Sequence, residues 1–281
     1  MNGCHLTESN VAGYLQSLRM MERTGATIQK YVHGVRSFME WLDGRPVTKE
    51  LTAQWKHDLM EKGLSPSTIN GRIAAVNGLF HFLGWTEYRI RALKIQRQAF
   101  RDNTKELTAE EYFRLVQTAR LQSRERLALV METICSTGIR VSEVRYITVE
   151  AARRARATVS LKGKIRTILL PEKLCGKLLQ YARRRGIISG EIFLTEGGKS
   201  LSRFEIWREM KAVCEKAGVQ GSKVFPHNLR HLFAMTYYRA NKNIVRLADL
   251  LGHSSINTTR IYLISTGEEH ARELARMRLI C

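Results

Sequence analysis

The chain has 281 residues, 44% of them hydrophobic, and its 46 Lys and Arg against 26 Asp and Glu leave a formal net charge of +20. That length suits two domains better than one; the longest apolar run, 127–131, is far too short to cross a bilayer, and no basic segment leading into an apolar one opens the chain. The expectation is a soluble, cytoplasmic protein with a polyanionic partner and no membrane segment, although charge alone equally suits an RNA-binding or membrane-surface protein.

Amphipathic periodicity predicts four helices in the first hundred residues. Thr7 or Ser9 can cap a helix running toward Met20. Thr24 or Thr27 begins a second, with Ile28, Tyr31, Val35, Phe38, Trp41 and Leu42 on its apolar face, and Gly44 with Pro46 stops it. A third covers 48–61 and ends at Gly63. Ser65-Pro66-Ser67 opens a fourth containing Ile69, Ile73, Val76, Phe80 and Leu83, which Gly84 closes. Periodicity then fades between 89 and 105, so a linker is expected at 99–106, between a helical domain at 1–98 and a second domain at 107–281. Residues 1–100 hold 13 basic and 8 acidic side chains and the remainder 33 and 18, so both domains can approach one nucleic-acid backbone.

Thr108 and Glu111 have the spacing of a capping box and open the second domain. Two helices follow to about Thr137, then a β-rich patch over 148–170 with 158–161 and 165–170 as a hairpin, then helices to the end. The fold class expected is mainly α, with an α+β second domain holding one small antiparallel sheet. Cys4, Cys135, Cys175, Cys214 and Cys281 lie far apart without a C-x-x-C pair, which predicts reduced structural thiols and no metal site.

Five segments of the second domain set a cation or a nucleophile beside a turn. In Ser136-Thr137-Gly138-Ile139-Arg140-Val141-Ser142-Glu143, the carboxylate three residues on can brace Arg140 from behind while its guanidinium faces a ligand. Leu161-Lys162-Gly163-Lys164-Ile165-Arg166 forms the hairpin tip, where a lysine can act as general acid or as a plain phosphate-binding charge. Pro226-His227-Asn228-Leu229-Arg230-His231 opens a helix and puts His227 and Arg230 on one face at its anion-favouring end. Gly252-His253 follows a helix end, and Asn257-Thr258-Thr259-Arg260-Ile261-Tyr262 brings a tyrosine nine residues later. Taken singly, each has an ordinary reading: a surface arginine, a solvated turn, a capping histidine, a packed turn residue, a core aromatic.

Taken in order, T-G-I-R-V-S-E, a hairpin lysine, H-N-L-R-H, L-G-H-S-S and T-T-R-I-Y resemble the signature of the tyrosine recombinase (phage integrase) family across the whole second domain. The helical first domain resembles that family's core-binding (SAM-like) domain. The resemblance implies that Arg140 and Arg230 clamp a phosphate, that His227 and His253 flank it, and that Tyr262 is the nucleophile. Glu143 matches the acidic support of the first arginine, and His231 a second histidine outside the core set. Lys162 matches the general acid; because the hairpin is one residue shorter than the commonest family form, Lys164 is its alternative. Leu263 departs from the threonine that often follows the tyrosine.

The reaction so implied is DNA cleavage and rejoining through a 3′-phosphotyrosine, without metal, ATP or other cofactor, in integration, excision or resolution of a DNA element. Double-stranded DNA would be held in a clamp of the two domains, with Lys30, Arg36, Lys56 and Arg72 as first-domain phosphate contacts. A homotetramer on two DNA sites with Holliday-junction exchange, a C-terminal helix at 268–278 passed to a neighbour, and a small excision factor complete the expectation. Two alternatives stay open at this point: type IB topoisomerase-like relaxation, and a non-catalytic DNA-binding regulator on the same scaffold.

Overall fold

Thr7, Thr24, Thr48 and Ser65 each accept a backbone N–H from three residues on, and each starts a helix. The computed structural model describes residues 4–95, 105–161, 164–263 and 276, without the side chains at 161, 164 and 263. Its first helices are α1 (Glu8–Met20), α2 (Gly25–Leu42), α3 (Lys49–Glu61) and α4 (Pro66–Phe82). The chain divides into two units, Met1–Arg97 and Gln98–Cys281.

In the first unit, buried Phe38 meets Trp55 edge-on at 4.9 Å between ring centroids and Phe80 at 5.7 Å. Gly34 lets α2 approach α4, because a Cβ there would stand 2.8 Å from that of Ala75. The segment leaving α4 is held by side chains on two helices. Asn77 bonds both backbone groups of Ile90, and Asn70 both of Leu93, at 2.8–2.9 Å. Seven helical residues rise roughly 10.5 Å and three extended ones span about 10 Å, so the two spacings match. Lys49 and Lys56 on α3 donate to the carbonyls of Arg89 and Arg91 at 2.5 and 2.9 Å.

The second unit begins with α5 (Ala109–Leu121), whose Thr108–Glu111 capping box is formed on both sides, and α6 (Glu125–Thr137). Leu127 through Met131 and Ile134 are all buried, which accounts for the continuous apolar run of α6 at the centre of this unit's core. A 3₁₀ turn (Val141–Tyr146) leads to α7 (Val149–Arg153), β1 (Arg156–Leu161), β2 (Lys164–Leu169), α8 (Glu172–Arg184), α9 (Arg203–Lys211), α10 (Pro226–Asn241), α11 (Ile244–Leu251) and α12 (Ile256–Arg260). Strands β1 and β2 pair antiparallel, with Arg156 opposite Leu169 and Leu161 opposite Lys164. Among the described residues the structure is thus mainly α with one small antiparallel sheet, as the sequence predicts.

Two local expectations are corrected. The start of the expected β patch is helical, because Thr148 caps α7 by accepting from the Ala151 N–H, and the alanines that follow favour helix over strand. The first strand starts two residues earlier than expected, since Ala157, a weak strand former, is buried and paired with Ile168. Most of the expected linker and, apart from Arg276, the segment 268–278 lie outside the described residues. Among those described, no helix is long and apolar enough to cross a membrane, and Cys4, Cys135, Cys175 and Cys214 are free thiols.

Candidate active site

Gly138 ends α6 in the left-handed conformation, φ 65°, and turns the chain so that Arg140 follows two residues later. The carboxylate of Glu143, 1% exposed, accepts the Arg140 backbone N–H at 2.7 Å and its guanidinium at 3.1 Å. One guanidinium donor is thereby used, and the rest of a side chain still 43% exposed faces outward.

Pro226 stands in the first turn of α10, where its missing N–H costs nothing, and brings His227 and Arg230 to the start of that helix. No side chain caps this helix, so His227 is not its cap. Asn228 anchors the turn by donating to the carbonyls of Lys105 and Lys223. Arg230 is 2% exposed, and its guanidinium donates to the Gly138 carbonyl at 2.5 Å, the Leu251 carbonyl at 2.8 Å and His253 Nε2 at 2.9 Å. Burial, then the neighbouring Arg140, push its pKa down to about 10, opposed by a hydrogen bond with Tyr262. It stays protonated at neutral pH.

Gly252 ends α11, also in the left-handed region, and His253 follows it. Burial and then Arg230, Arg140 and Arg166 push the His253 pKa down to about 4, so the ring is neutral at pH 7. An arginine can only donate, hence Nε2 accepts, the ring proton sits on Nδ1, and Nδ1 donates to Thr259 Oγ1 at 2.9 Å. Tyr262 is 5% exposed, and three histidine rings surround it: His231 at 5.1 Å, His227 at 5.7 Å and His253, nearly parallel, at 5.8 Å between centroids. His227 is exposed to the cleft, yet partial burial and then Arg230 hold its pKa below the ordinary value. An open cleft of about 690 Å³ is lined by Arg140, His227, Arg230 and Tyr262, with Phe204 and Trp207 among the apolar residues of its wall.

Five of the six residues singled out from sequence therefore come together from four separate segments: Arg140, His227, Arg230 and Tyr262 line the cleft, and His253 adjoins them through Arg230 and the Tyr262 ring. Chemically the cluster offers a phenol beside a buried guanidinium, a second guanidinium, and two imidazoles held neutral, a set suited to a phosphate diester. Along the chain, residues 105–269 match the phage integrase family and residues 11–87 the phage integrase N-terminal SAM-like domain. The chain belongs to the phage integrase family.

Among relatives of this phage integrase chain, the tyrosine recombinase XerA of Pyrococcus furiosus is 30% identical over 273 residues, covering 94% of this chain and 92% of its own. A solved lambda integrase dimer bound to a COC′ core site shares the fold, with a TM-score of 0.75 and 19% identity over 93% of this chain and 77% of that one. So does a lambda integrase tetramer bound to a Holliday junction, with a TM-score of 0.74 and 20% identity over 93% and 78%.

Lys162 lies outside the described residues, as does the side chain of Lys164. In the integrase SAM-like unit, Lys30 and Arg36 are exposed on α2; Lys56 is half-buried on the Arg91 carbonyl, and Arg72 donates to Ser37 Oγ at 3.3 Å. Sequence reasoning missed Thr259 and Arg166. Thr259 is fully buried and sits inside the quoted T-T-R-I-Y motif, so its place was legible but not its bond to His253. Arg166 is a cation in a strand otherwise made of Ile, Thr and Leu apart from Lys164, and that oddity was its available signal.

Proposed function

We propose that this protein is a site-specific DNA recombinase in which Tyr262 attacks the scissile phosphorus of a DNA strand. The clustering of Tyr262, Arg230, His227 and Arg140 on one cleft, with His253 against Arg230 and the Tyr262 ring, carries the reading, and kinship with a protein named a tyrosine recombinase supports it. Tyr262 Oη forms a bond to phosphorus while the bond from phosphorus to the 5′-oxygen breaks. The phenol loses its proton and the departing 5′-oxygen gains one. The products are a 3′-phosphotyrosine and a 5′-hydroxyl. Attack on the phosphotyrosine by the 5′-hydroxyl of another strand restores a phosphodiester and frees the tyrosine, so the stored bond drives rejoining without a nucleotide cofactor.

Arg140 and Arg230 offset charge on the non-bridging oxygens, where preorganised donors act most strongly. His253 and His227 flank the same phosphate, and a neutral imidazole there takes the proton that the Tyr262 phenol loses; Glu143 holds Arg140 in place, and Lys162, or Lys164 in its stead, protonates the leaving oxygen. The domains 1–98 and 107–281, joined by the linker 99–106, close on the duplex as a clamp, with Lys30, Arg36, Lys56 and Arg72 on phosphates. Four protomers act on two sites in the cytoplasm, exchanging the 268–278 segment, and a small excision factor biases direction. The solved lambda integrase tetramer on a Holliday junction is the precedent for that assembly. The named relatives are recombinases, which favours strand exchange over relaxation or regulation without cleavage.

The experiment is covalent capture. The protein is incubated with a randomised duplex pool carrying one nick, and DNA retained after denaturation in detergent is sequenced. Wild type should retain a defined sequence and Tyr262→Phe none, while Arg140→Ala should slow capture by about 10²-fold or more. Equal retention by wild type and Tyr262→Phe would sink the proposal.

A further inference from the structure

Arg166 lies in the middle of β2 between two exposed neighbours, Ile165 and Thr167, yet its own side chain is only 16% exposed. Its guanidinium reaches Glu143 Oε2 at 2.5 Å on one side and donates to the Leu250 carbonyl, in the last turn of α11, at 3.0 Å on the other. Its stem occupies the place a side chain on Gly252 would need, since a Cβ there would lie 2.5 Å from Arg166 Cδ. Glu143 is the carboxylate that holds Arg140, and Gly252 precedes His253. One side chain thus spans the hairpin that carries Lys162 and Lys164, the turn that carries Arg140, and the turn that carries His253.

Stability alone is a poor reason for this arrangement. Arg166 Nε is buried without a hydrogen-bond partner among the described residues, and a buried ion pair returns little net stability against apolar packing. A lysine would keep the charge, but a single ammonium cannot reproduce the planar fork that faces a carboxylate and a carbonyl in fixed directions. What the fork supplies is a fixed distance between three segments that approach from different parts of the chain.

We propose that Arg166 is a positioning residue of the cleavage reaction, holding the hairpin, the Arg140 turn and the His253 turn in register through Glu143 and the Leu250 carbonyl. The proposal rests on the recombinase reading and adds a member to its machinery that does not itself touch DNA. Misplacing groups at a phosphate by a fraction of an ångström slows the chemistry without greatly altering how tightly the DNA is held.

The test uses the full chain with Arg166→Lys and Arg166→Gln, on the duplex that wild type captures from the nicked pool. Arg166→Lys should slow single-turnover adduct formation at saturating DNA by about 10- to 100-fold, with the DNA Kd within about threefold of wild type. Combining it with Glu143→Gln should be no slower than the slower single variant, because both act along one path. A second readout needs no DNA: the titration of the His253 ring followed by NMR. The groups facing that ring are Arg230 from α10, Arg140 and Glu143 at the 3₁₀ turn, Arg166 from β2, Thr259 from α12 and the stacked phenol of Tyr262. Of these, Arg166→Gln removes one cation, so His253 should titrate closer to pH 6.5, whereas Arg166→Lys should move it less.

An adduct rate for Arg166→Lys within about threefold of wild type overturns the proposal, as does a loss confined to Kd, an additive double variant, or a His253 titration unmoved in Arg166→Gln. If Arg166→Gln does not fold, Arg166→Lys decides. If neither folds, the role is structural and the proposal fails. Should wild type itself form no adduct, the recombinase reading is what falls, and the DNA-free titration still tells whether Arg166 acts on the His253 turn.

Discussion

At the scale of single residues, the chemistry of the cleft is set by which groups stay charged. Arg230 is buried deeply enough to lose part of its basicity, yet with a pKa of about 10 it remains a cation at neutral pH, while burial and then Arg230 drive His253 to the neutral form. A charge is easier to keep on a delocalised guanidinium than on an imidazole whose ordinary pKa is already near neutrality. In DNA-free protein, NMR should find His253 protonated on Nδ1 at pH 7 and titrating near pH 4; an Nε2 proton, or a midpoint near 6.5, would contradict the hydrogen-bond pattern. The same shift has a sign for stability. The unfolded chain takes up this proton near pH 6.5 and the folded chain only near 4, so the contribution is present above 6.5 and is lost as pH falls toward 4. On acidification from pH 7 to 4.5, His253→Gln should therefore lose fewer degrees of Tm than wild type.

At the scale of elements, the cleft depends on how helices end. Gly138 and Gly252 both close helices in the left-handed conformation, and each is also crowded: a Cβ on Gly138 would meet the Phe233 ring at 2.4 Å, and one on Gly252 the Arg166 stem. The Gly138 carbonyl is itself a partner of Arg230. Gly138→Ala should cost about 1–3 kcal/mol from the backbone alone, more once Phe233 moves, and should slow capture further because the Arg230 acceptor shifts. Denaturant unfolding and adduct rates measured on the same preparation check this, and a variant as stable and as fast as wild type would show that the turn tolerates a side chain. Sequence periodicity predicted the four N-terminal helices because apolar faces are local features, and it narrowed the first two caps to pairs from which the structure selects Thr7 and Thr24. It mistook the start of α7 because Thr148 as a helix cap and Thr148 as a strand residue look alike until the Ala151 N–H is seen to point at it.

For the whole molecule, the charge of +20 is shared by both units and implies binding dominated by phosphate contacts. Affinity for the captured duplex should fall about 10³-fold or more between 50 and 200 mM salt if six or more phosphates are neutralised. Arg36→Gln should lower the slope of log affinity against log salt by about one. A slope unchanged by Arg36→Gln would remove that residue from the DNA-facing set, and fluorescence anisotropy over a salt series suffices to measure it.

The sequence by itself determined the helical class, the small sheet, the family, four of the residues that line the cleft and His253 beside them, because each of these is written in short motifs whose order survives without coordinates. Only the tertiary structure decided what joins them. Glu143 and Arg166 are 23 positions apart, and Arg230 and Gly138 are 92. A buried polar contact over such separations has no periodicity and no local pattern. It exists because folding removes water from those groups and leaves each with the partner that the packed core brings within reach.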